Sequence, residues 1–188
     1  MREVPTVDEA AATAERLLAP LGDRWRHTQA VAARAAELAE AVETADRELL
    51  IVAAWLHDLG YAPDLGVTGM HQLNGAQHLV HLGYSDRLCA LVAHHSAATF
   101  EAEERGLVTE LSKWPREESR LADALWMADM TTGPAGERFD YPARLGEILT
   151  RYEPCSPVVR AMTRARPTVE ATIERTRSRL RATGCADG

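Results

Sequence analysis

The feature that most constrains the fold of this chain is an apolar stretch that ends in two adjacent polar residues, His57 and Asp58. Apolar residues recur around the pair at the spacing of a helical face, at Leu49, Leu50, Val52, Ala53, Leu56 and Leu59. Gly60 follows, and glycine is the residue that most readily takes the left-handed conformation in which helices end. The pattern therefore predicts a helix with the two polar residues in its last turn.

Asp58 has no favourable local environment at such a helix end. The carbonyl end of a helix carries partial negative charge, and burial raises the free-energy cost of an ionised carboxylate. A bound cation would offset both the repulsion by the helix end and the cost of burying the carboxylate. The alternative is that Asp58 points into solvent while His57 packs in the core with a hydrogen bond, as many His-Asp pairs do. Only ligands elsewhere in the chain can decide between the two interpretations.

Helical patterns continue along the whole chain, and no segment has a strand pattern of useful length. The predicted fold class is therefore all-α. A capping box starts the first helix at Thr6, and Ser85 and Ser119 mark the starts of later helices. Further helices are predicted at 24–42, from 44 or 46 through Asp58, and at 70–82, 142–152, 157–166 and 167–180, while 97–118 holds a short helix or a lid.

The length and composition indicate one globular domain with a sizeable core. The chain has 188 residues, of which 46% are hydrophobic and 26% are charged. We divide it into an N-terminal helix that packs on the core (1–22), the domain that carries the polar residues (23–155), a C-terminal helical extension (156–182) and a disordered tail (183–188).

The net charge of −7 argues against duplex nucleic acid and anionic membranes as general partners. Lys113 is the only lysine, so the cationic side chains are almost all arginines, which suit bidentate binding of phosphate, although genomic composition would have the same effect. The three cysteines, Cys89, Cys155 and Cys185, are odd in number and widely spaced, which argues against a disulfide framework or a thiolate zinc site. No signal peptide or transmembrane run is visible, so we expect a cytoplasmic protein of undetermined oligomeric state.

Five more residues of ligand type lie on or beside apolar helical faces. They are His27, His71, His94, His95 and Asp129. Each has an ordinary alternative, because an inward-facing histidine is more often a hydrogen-bonded core residue and a buried aspartate needs only a partner. The adjacent residues His94 and His95 are harder to explain as hydrogen-bonded core histidines. Five successive helices nevertheless place an imidazole or a carboxylate inwards, and this agreement favours a shared site.

The order of these residues, H…HD…H…HH…D, resembles the HD-domain superfamily of metal-dependent phosphohydrolases. The similarity covers roughly residues 24–152. Its most specific motifs are Trp-Leu-His-Asp-Leu-Gly-Tyr at 55–61, His-x-x-Asn-Gly-Ala at 71–76, Leu-Gly-Tyr at 82–84, Val-Ala-His-His-Ser at 92–96 and Ala-Asp-Met at 128–130. The resemblance implies a bundle of five or more helices with a metal site at its centre.

The resemblance also implies the roles of individual residues. Four match the ligands of the basic one-metal site: His27, His57, Asp58 and Asp129. Three match the additional ligands of members with two metals: His71, His94 and His95. Asp58 would then bridge both ions, and it is the residue assigned to catalysis. A set of imidazoles and carboxylates without thiolate fits one or two divalent ions of Fe, Mn, Co, Ni or Zn.

The implied chemistry needs positive charge around a phosphate group. A metal-bound hydroxide would be the nucleophile, and a second ion would clamp the phosphoryl oxygens. The sequence assigns no residue to proton transfer. Arginines would neutralise the remaining phosphate charge. Five are candidates for substrate binding, although each is otherwise a solvated surface residue: Arg24, Arg26, Arg105, Arg116 and Arg138.

The resemblance implies hydrolysis of a phosphate ester or anhydride (EC 3.1 type) in a small, nucleotide-like metabolite. Some small HD proteins instead use two irons and dioxygen to cleave carbon–phosphorus or carbon–carbon bonds, and the same ligands serve both reactions. Loss of all activity without oxygen would identify such an oxygenase. A non-catalytic regulatory domain is the third interpretation, and the complete ligand set argues against it.

Overall fold

Ten α-helices and five short 3-10 helices make up the described part of the chain, residues 3–184, in this computed structural model. The α-helices are α1 (Val7–Leu18), α2 (Asp23–Glu37), α3 (Arg47–Leu56), α4 (His71–His81), α5 (Asp86–Ala93), α6 (Ala98–Arg105), α7 (Val108–Leu111), α8 (Arg120–Met130), α9 (Tyr141–Arg151) and α10 (Pro157–Ala182). Between residues 3 and 184 there is no strand, and the extended pairings there are two isolated β-bridges. The predicted all-α fold is confirmed.

Side-chain caps begin several helices where the sequence predicts them. Thr6 and Glu9 form the reciprocal hydrogen bonds of a capping box at the start of α1. Ser85 and Ser119 each accept a hydrogen bond from the backbone amide three residues later, at the starts of α5 and α8. These bonds satisfy amides that have no partner within the helix, and they fix where each helix starts.

Helix α3 lies at the centre of the bundle. It packs against α1, α2, α5 and α8, and most of its residues are buried. A helix that is apolar all round is stable only when other elements surround it. It ends at Leu56, so His57 caps the helix and Asp58 follows it, just beyond the last turn in which the sequence predicts them.

The prediction that Gly60 takes the left-handed conformation is wrong, because the 3-10 helix Leu59–Tyr61 continues the turn through it. Glycine is required here for a different reason. A Cβ atom would lie 1.9 Å from the carbonyl oxygen of His71 and 2.6 Å from the amide nitrogen of Gly75. Only glycine permits two backbones to approach so closely. This contact with the start of α4 brings His71 next to Asp58.

Helix α10 is one element of 26 residues, whereas the sequence predicts two helices divided at Pro167. A proline inside a helix removes one backbone hydrogen bond and crowds the preceding turn. The helix continues because α10 packs against α6 and α8 along its length, and Ala165 and Val169, on either side of the proline, are fully buried. Apolar burial therefore outweighs the local penalty.

The first and last helices pack on the same core as the rest of the chain. Helix α1 contacts α2 and α3, and α10 contacts α6, α8 and α9. Of the predicted tail, Thr183 and Gly184 form a turn after α10, and residues 185–188 lie outside the described residues. No helix between residues 3 and 184 combines the length and hydropathy needed to cross a membrane.

Candidate metal centre

Six side chains from five helical segments converge at one place in the bundle. They are His27 on α2, His57 and Asp58 after α3, His71 at the start of α4, His95 after α5 and Asp129 near the end of α8. All are buried except His71, whose side chain is 15% exposed. Of the seven ligand-type residues that the sequence indicates, the structure thus brings six together, and we call them the cluster.

Three of the imidazoles are held by backbone carbonyl groups through Nδ1. The distances are 2.9 Å from His27 to Gly133, 2.7 Å from His57 to Ala54 and 2.7 Å from His95 to Val92. A carbonyl oxygen only accepts, so each Nδ1 carries a hydrogen, and Nε2 of each ring faces the cluster, where its lone pair binds a metal when the ring is neutral. A histidine that binds a metal through one nitrogen usually has its other nitrogen fixed in this way.

Four of the facing atoms have the spacing of ligands around one ion. The Nε2 of His27 is 3.6 Å from Asp58 Oδ2 and 3.1 Å from Asp129 Oδ1. The Nε2 of His57 is 3.3 Å and 4.0 Å from the same two oxygens. Ligands that lie ~2.1 Å from an ion are about 3 Å apart when adjacent and at most about 4.2 Å apart when opposite. All four distances fall in this interval.

The other oxygen of Asp58 faces a second group of nitrogens. Its Oδ1 is 3.4 Å from His71 Nε2 and 3.8 Å from His95 Nε2, and those two nitrogens are 3.1 Å apart. These distances also suit the ligands of a single ion. Asp58 thus directs one oxygen towards each group.

The electrostatics of the cluster favour a positive charge at its centre. The Nε2 of His57 is buried without a hydrogen-bond partner, which is costly for a polar atom. Burial opposes the charged form of His57, but Asp58 and Asp129 outweigh it and raise the pKa of this imidazole. Burial also opposes ionisation of Asp58, but Arg24 and His57 hold the pKa of its carboxyl well below the usual value. A metal ion would supply the positive charge that the carboxylates attract.

The two histidines of the second group are neutral near pH 7. Burial lowers the pKa of His95 to about 4, and it lowers the pKa of His71 well below the usual value. Neutral imidazole is the form that binds a metal. Among residues 3–184, two buried sets of three residues have ligand atoms close enough together to hold one ion: His27, His57 and Asp129, and His57, Asp58 and His95.

His94 does not join the cluster, although the sequence assigns it to the second metal group. Its Nε2 donates a hydrogen bond of 2.8 Å to the carbonyl oxygen of Trp114. The side chain lies on the wall of a different cavity, of about 470 Å³, with Arg116 and Trp126. Helix α5 ends at Ala93, and successive side chains beyond a helix end project to different sides, so only His95 of the pair turns towards Asp58.

Of the five arginines considered for substrate binding, only Arg24 lines the cavity at the cluster. Its Nη1 donates a hydrogen bond of 2.6 Å to Asp58 Oδ2, and its guanidinium carbon lies 3.9 Å from the ring centre of Tyr61. The other four contact Asp23 (Arg26), Glu101 (Arg105), the ring of Trp126 (Arg116) and Glu37 (Arg138). Arg116 and Arg138 border other cavities, so their loops do not close over the site.

The cavity at the cluster also has lining residues that the sequence analysis missed. Among them are Tyr61, Gln72, Ser96, Arg144, Arg151 and Tyr152. Tyr61 and Ser96 belong to the motifs that carry the family resemblance, and their proximity to His57 and His95 in the sequence is a usable signal. The residues from 144 onwards lie on α9 or beyond it, and no sequence pattern indicates that this part of the chain folds against the cluster.

Ser96 fixes the orientation of Asp129. Its hydroxyl donates a hydrogen bond to Asp129 Oδ2, while Oδ1 faces His27. Ser96 and Ala97 have φ values of 47° and 65°, a left-handed backbone that residues other than glycine adopt at a cost. Strained backbone of this kind clusters at functional sites. The turn after α5 therefore supplies His95 to the cluster and also orients Asp129.

The model of the HD domain family matches residues 24–131. This span is more than half of the chain, and it contains all six residues of the cluster. No curated protein and no solved structure matches the chain. The order of the ligand-type residues, the helical bundle and the family model agree, and the chain belongs to the HD domain family.

Proposed function

We propose that this chain is a metal-dependent phosphohydrolase that uses two divalent ions to hydrolyse a small phosphorylated, nucleotide-like metabolite. The HD domain belongs to a superfamily of this type, and the buried cluster is compatible with a metal site. The observation that carries the proposal is Asp58, whose two oxygens face separate groups of imidazole nitrogens. A carboxylate between two ions is what a two-metal hydrolytic site requires.

The residues of the cluster divide into two sets around Asp58. His27, His57 and Asp129 would hold the first ion, and His71 and His95 the second. Bound divalent ions would activate a water molecule and stabilise the charge on phosphoryl oxygens. The chain itself fixes the ligands in advance, because backbone carbonyls orient three imidazoles and Ser96 orients Asp129. This nitrogen and oxygen donor set suits Fe, Mn, Co, Ni or Zn.

The cavity beside the cluster limits what can bind there. Its volume is about 60 Å³, well below the roughly 300–1,000 Å³ of typical ligand pockets, so a whole nucleotide does not fit inside it. Tyr61 and Tyr152 line the same cavity, where the ring of Tyr61 already contacts His71 and the guanidinium of Arg24. The organic part of the substrate would therefore extend towards the opening of the cavity.

Metal stoichiometry is the first test of the proposal. The protein as purified, and after reconstitution with each candidate ion, would be analysed for metal per chain beside His71→Ala and His81→Ala. His81 is exposed and contacts the carbonyl of Gln77, so it is the matched histidine control. We expect about two ions in the wild type and in His81→Ala, and about one ion in His71→Ala.

Activity would be measured on the same preparations as release of inorganic phosphate from nucleoside phosphates, sugar phosphates and 4-nitrophenyl phosphate. Metal-dependent release that is lost in His57→Ala supports the hydrolase. A single ion that His71→Ala leaves in place contradicts the two-metal site. If the metal is iron and the reaction stops without dioxygen, the protein is an oxygenase instead. If no metal binds even after reconstitution, the result favours a regulatory domain.

A further inference from the structure

Part of the cavity wall comes from a region beyond the family match. The match ends at residue 131, whereas α9 and the first turns of α10 contribute side chains to the cavity beside the cluster. Two of these side chains are arginines, Arg144 and Arg151, and others are apolar, namely Ile148, Val158 and Met162. The features that select a substrate can therefore lie outside the region that the chain shares with its family.

Arg144 is a buried cation with an incomplete set of partners. Its side chain is 3% exposed, its Nη1 donates a hydrogen bond to Glu147, and its Nε is buried without a hydrogen-bond partner. Burial of a guanidinium is costly unless other groups compensate its charge and its donors. The planar guanidinium matches the oxygens of a phosphate group. An anion in the cavity would supply a further partner for this guanidinium.

Arg151 adds a second positive charge to the same wall. Its Nε lies 3.1 Å from Glu147 Oε1, and its side chain is 33% exposed. Arg144 and Arg151 thus share the carboxylate of Glu147 as their ion-pair partner, and Glu137 also acts electrostatically on Arg144. The carboxylate of Glu101 also lies at this cavity. It is paired with Arg105 at 2.7 Å, so it is not the ion-pair partner of Arg144 or Arg151.

We propose that Arg144 and Arg151 bind the phosphate group of the substrate and select phosphate monoesters. The inference rests on the proposed function and adds the substrate class. A monoester presents one phosphoryl group of charge about −2, whereas a triphosphate carries two more phosphoryl groups, and the third arginine at this cavity, Arg24, is already paired with Asp58.

The test compares Arg144→Met, Arg144→Lys and Arg151→Met with a control, Arg166→Met. Arg166 is an exposed residue of α10 that pairs with Glu170. The values of kcat and KM would be measured with 4-nitrophenyl phosphate and with ATP, and binding of inorganic phosphate by calorimetry. Metal content would be measured in every variant, so that loss of ions is not mistaken for loss of phosphate binding.

We expect Arg144→Met to raise the KM for 4-nitrophenyl phosphate and the Kd for inorganic phosphate by about tenfold to a hundredfold. Metal content stays at the wild-type level. The more exposed Arg151 contributes less, roughly threefold to tenfold. Arg144→Lys gives intermediate values, because lysine restores the charge without the planar fork of donors. Arg166→Met behaves as the wild type, and ATP is a poorer substrate than the monoester.

Unchanged phosphate affinity in Arg144→Met and Arg151→Met would overturn the inference even in an active enzyme. If Arg144→Met does not fold, Arg144→Lys and Arg151→Met decide the question. Failure of the wild type to release phosphate with any metal would contradict the proposed function instead, and calorimetry with phosphate would still test the two arginines. A preference for ATP over the monoester would overturn the substrate class.

Discussion

Arg24 Nη1 lies 2.6 Å from Asp58 Oδ2, the oxygen that faces His27 and His57. The pair is nearly buried, with 17% of the Arg24 side chain and 2% of the Asp58 side chain exposed. A guanidinium in this place stabilises the carboxylate, but it also repels a metal ion that approaches the same oxygen. Arg24 would therefore compete with a bound metal ion for Asp58.

Arg24→Met should lower the stability of the metal-free protein and increase the stabilisation that added metal provides. The variant leaves a nearly buried carboxylate uncompensated, which costs about 3 kcal/mol of unfolding free energy. In a chain of this size that loss lowers Tm by roughly 6–12 °C. Added metal then raises Tm by a larger increment than in the wild type, because the ion meets no competing cation. Thermal denaturation with a chelator and with metal measures both effects.

The control for this comparison is Arg26→Met. Arg26 belongs to an exposed ion pair with Asp23, and such pairs contribute little to stability. It should change neither the Tm of the metal-free protein nor the increment on adding metal. An equal increment in Arg24→Met and the wild type would contradict competition for Asp58.

Gly60→Ala should unfold the protein or destabilise it severely. The new Cβ would lie 1.9 Å from the backbone oxygen of His71, and neither backbone can move without displacing the cluster. We expect a loss of more than about 4 kcal/mol in chemical denaturation, or insoluble protein. Gly146→Ala is the control. It lies within α9 with no atom within 4 Å of the added Cβ, so it should gain up to about 1 kcal/mol from helix propensity. Similar stability of the two variants would contradict the close contact at Gly60.

His95→Ala and His94→Ala should differ in metal content. His95 Nε2 faces the cluster, so its removal should lower the content by about one ion per chain. His94 contacts the carbonyl of Trp114, so His94→Ala should retain its metal and lose about 1 kcal/mol of stability. Elemental analysis and denaturation would be carried out on the same samples. Loss of an ion in His94→Ala would show that His94 is, after all, a ligand of the second metal group.

Much of the cluster could be predicted from the sequence because its residues lie on or beside apolar helical faces. His27 belongs to the buried face of α2, and Asp129 lies near the end of the buried face of α8. Periodicity indicates the face, and residue type indicates the chemistry. Neither gives the direction of a side chain beyond a helix end, where the local backbone decides. For this reason the sequence could not separate His94 from His95.

The cavity wall could not be predicted because it depends on contacts between distant segments. Arg144 and Arg151 have the pattern of ordinary charges on an amphipathic helix, and only the tertiary structure shows them at the cavity. The local rules also fail where packing overrides them. Pro167 indicates a helix boundary, but burial of α10 carries the helix through it. Gly60 indicates a helix end, but what it provides is a backbone contact with α4.

Ser96→Ala and Ser96→Gly should have the same effect on metal affinity and different effects on stability. Both remove the hydroxyl that orients Asp129, so metal affinity should fall by about tenfold in each. Alanine keeps the left-handed backbone at φ 47°, whereas glycine adopts it freely and recovers about 1 kcal/mol relative to alanine. Chelator competition gives the metal Kd, and denaturation gives the unfolding free energy. Unchanged metal affinity in both variants would show that the Ser96 hydroxyl does not support the metal ligand, and equal stability would show that the turn is not strained.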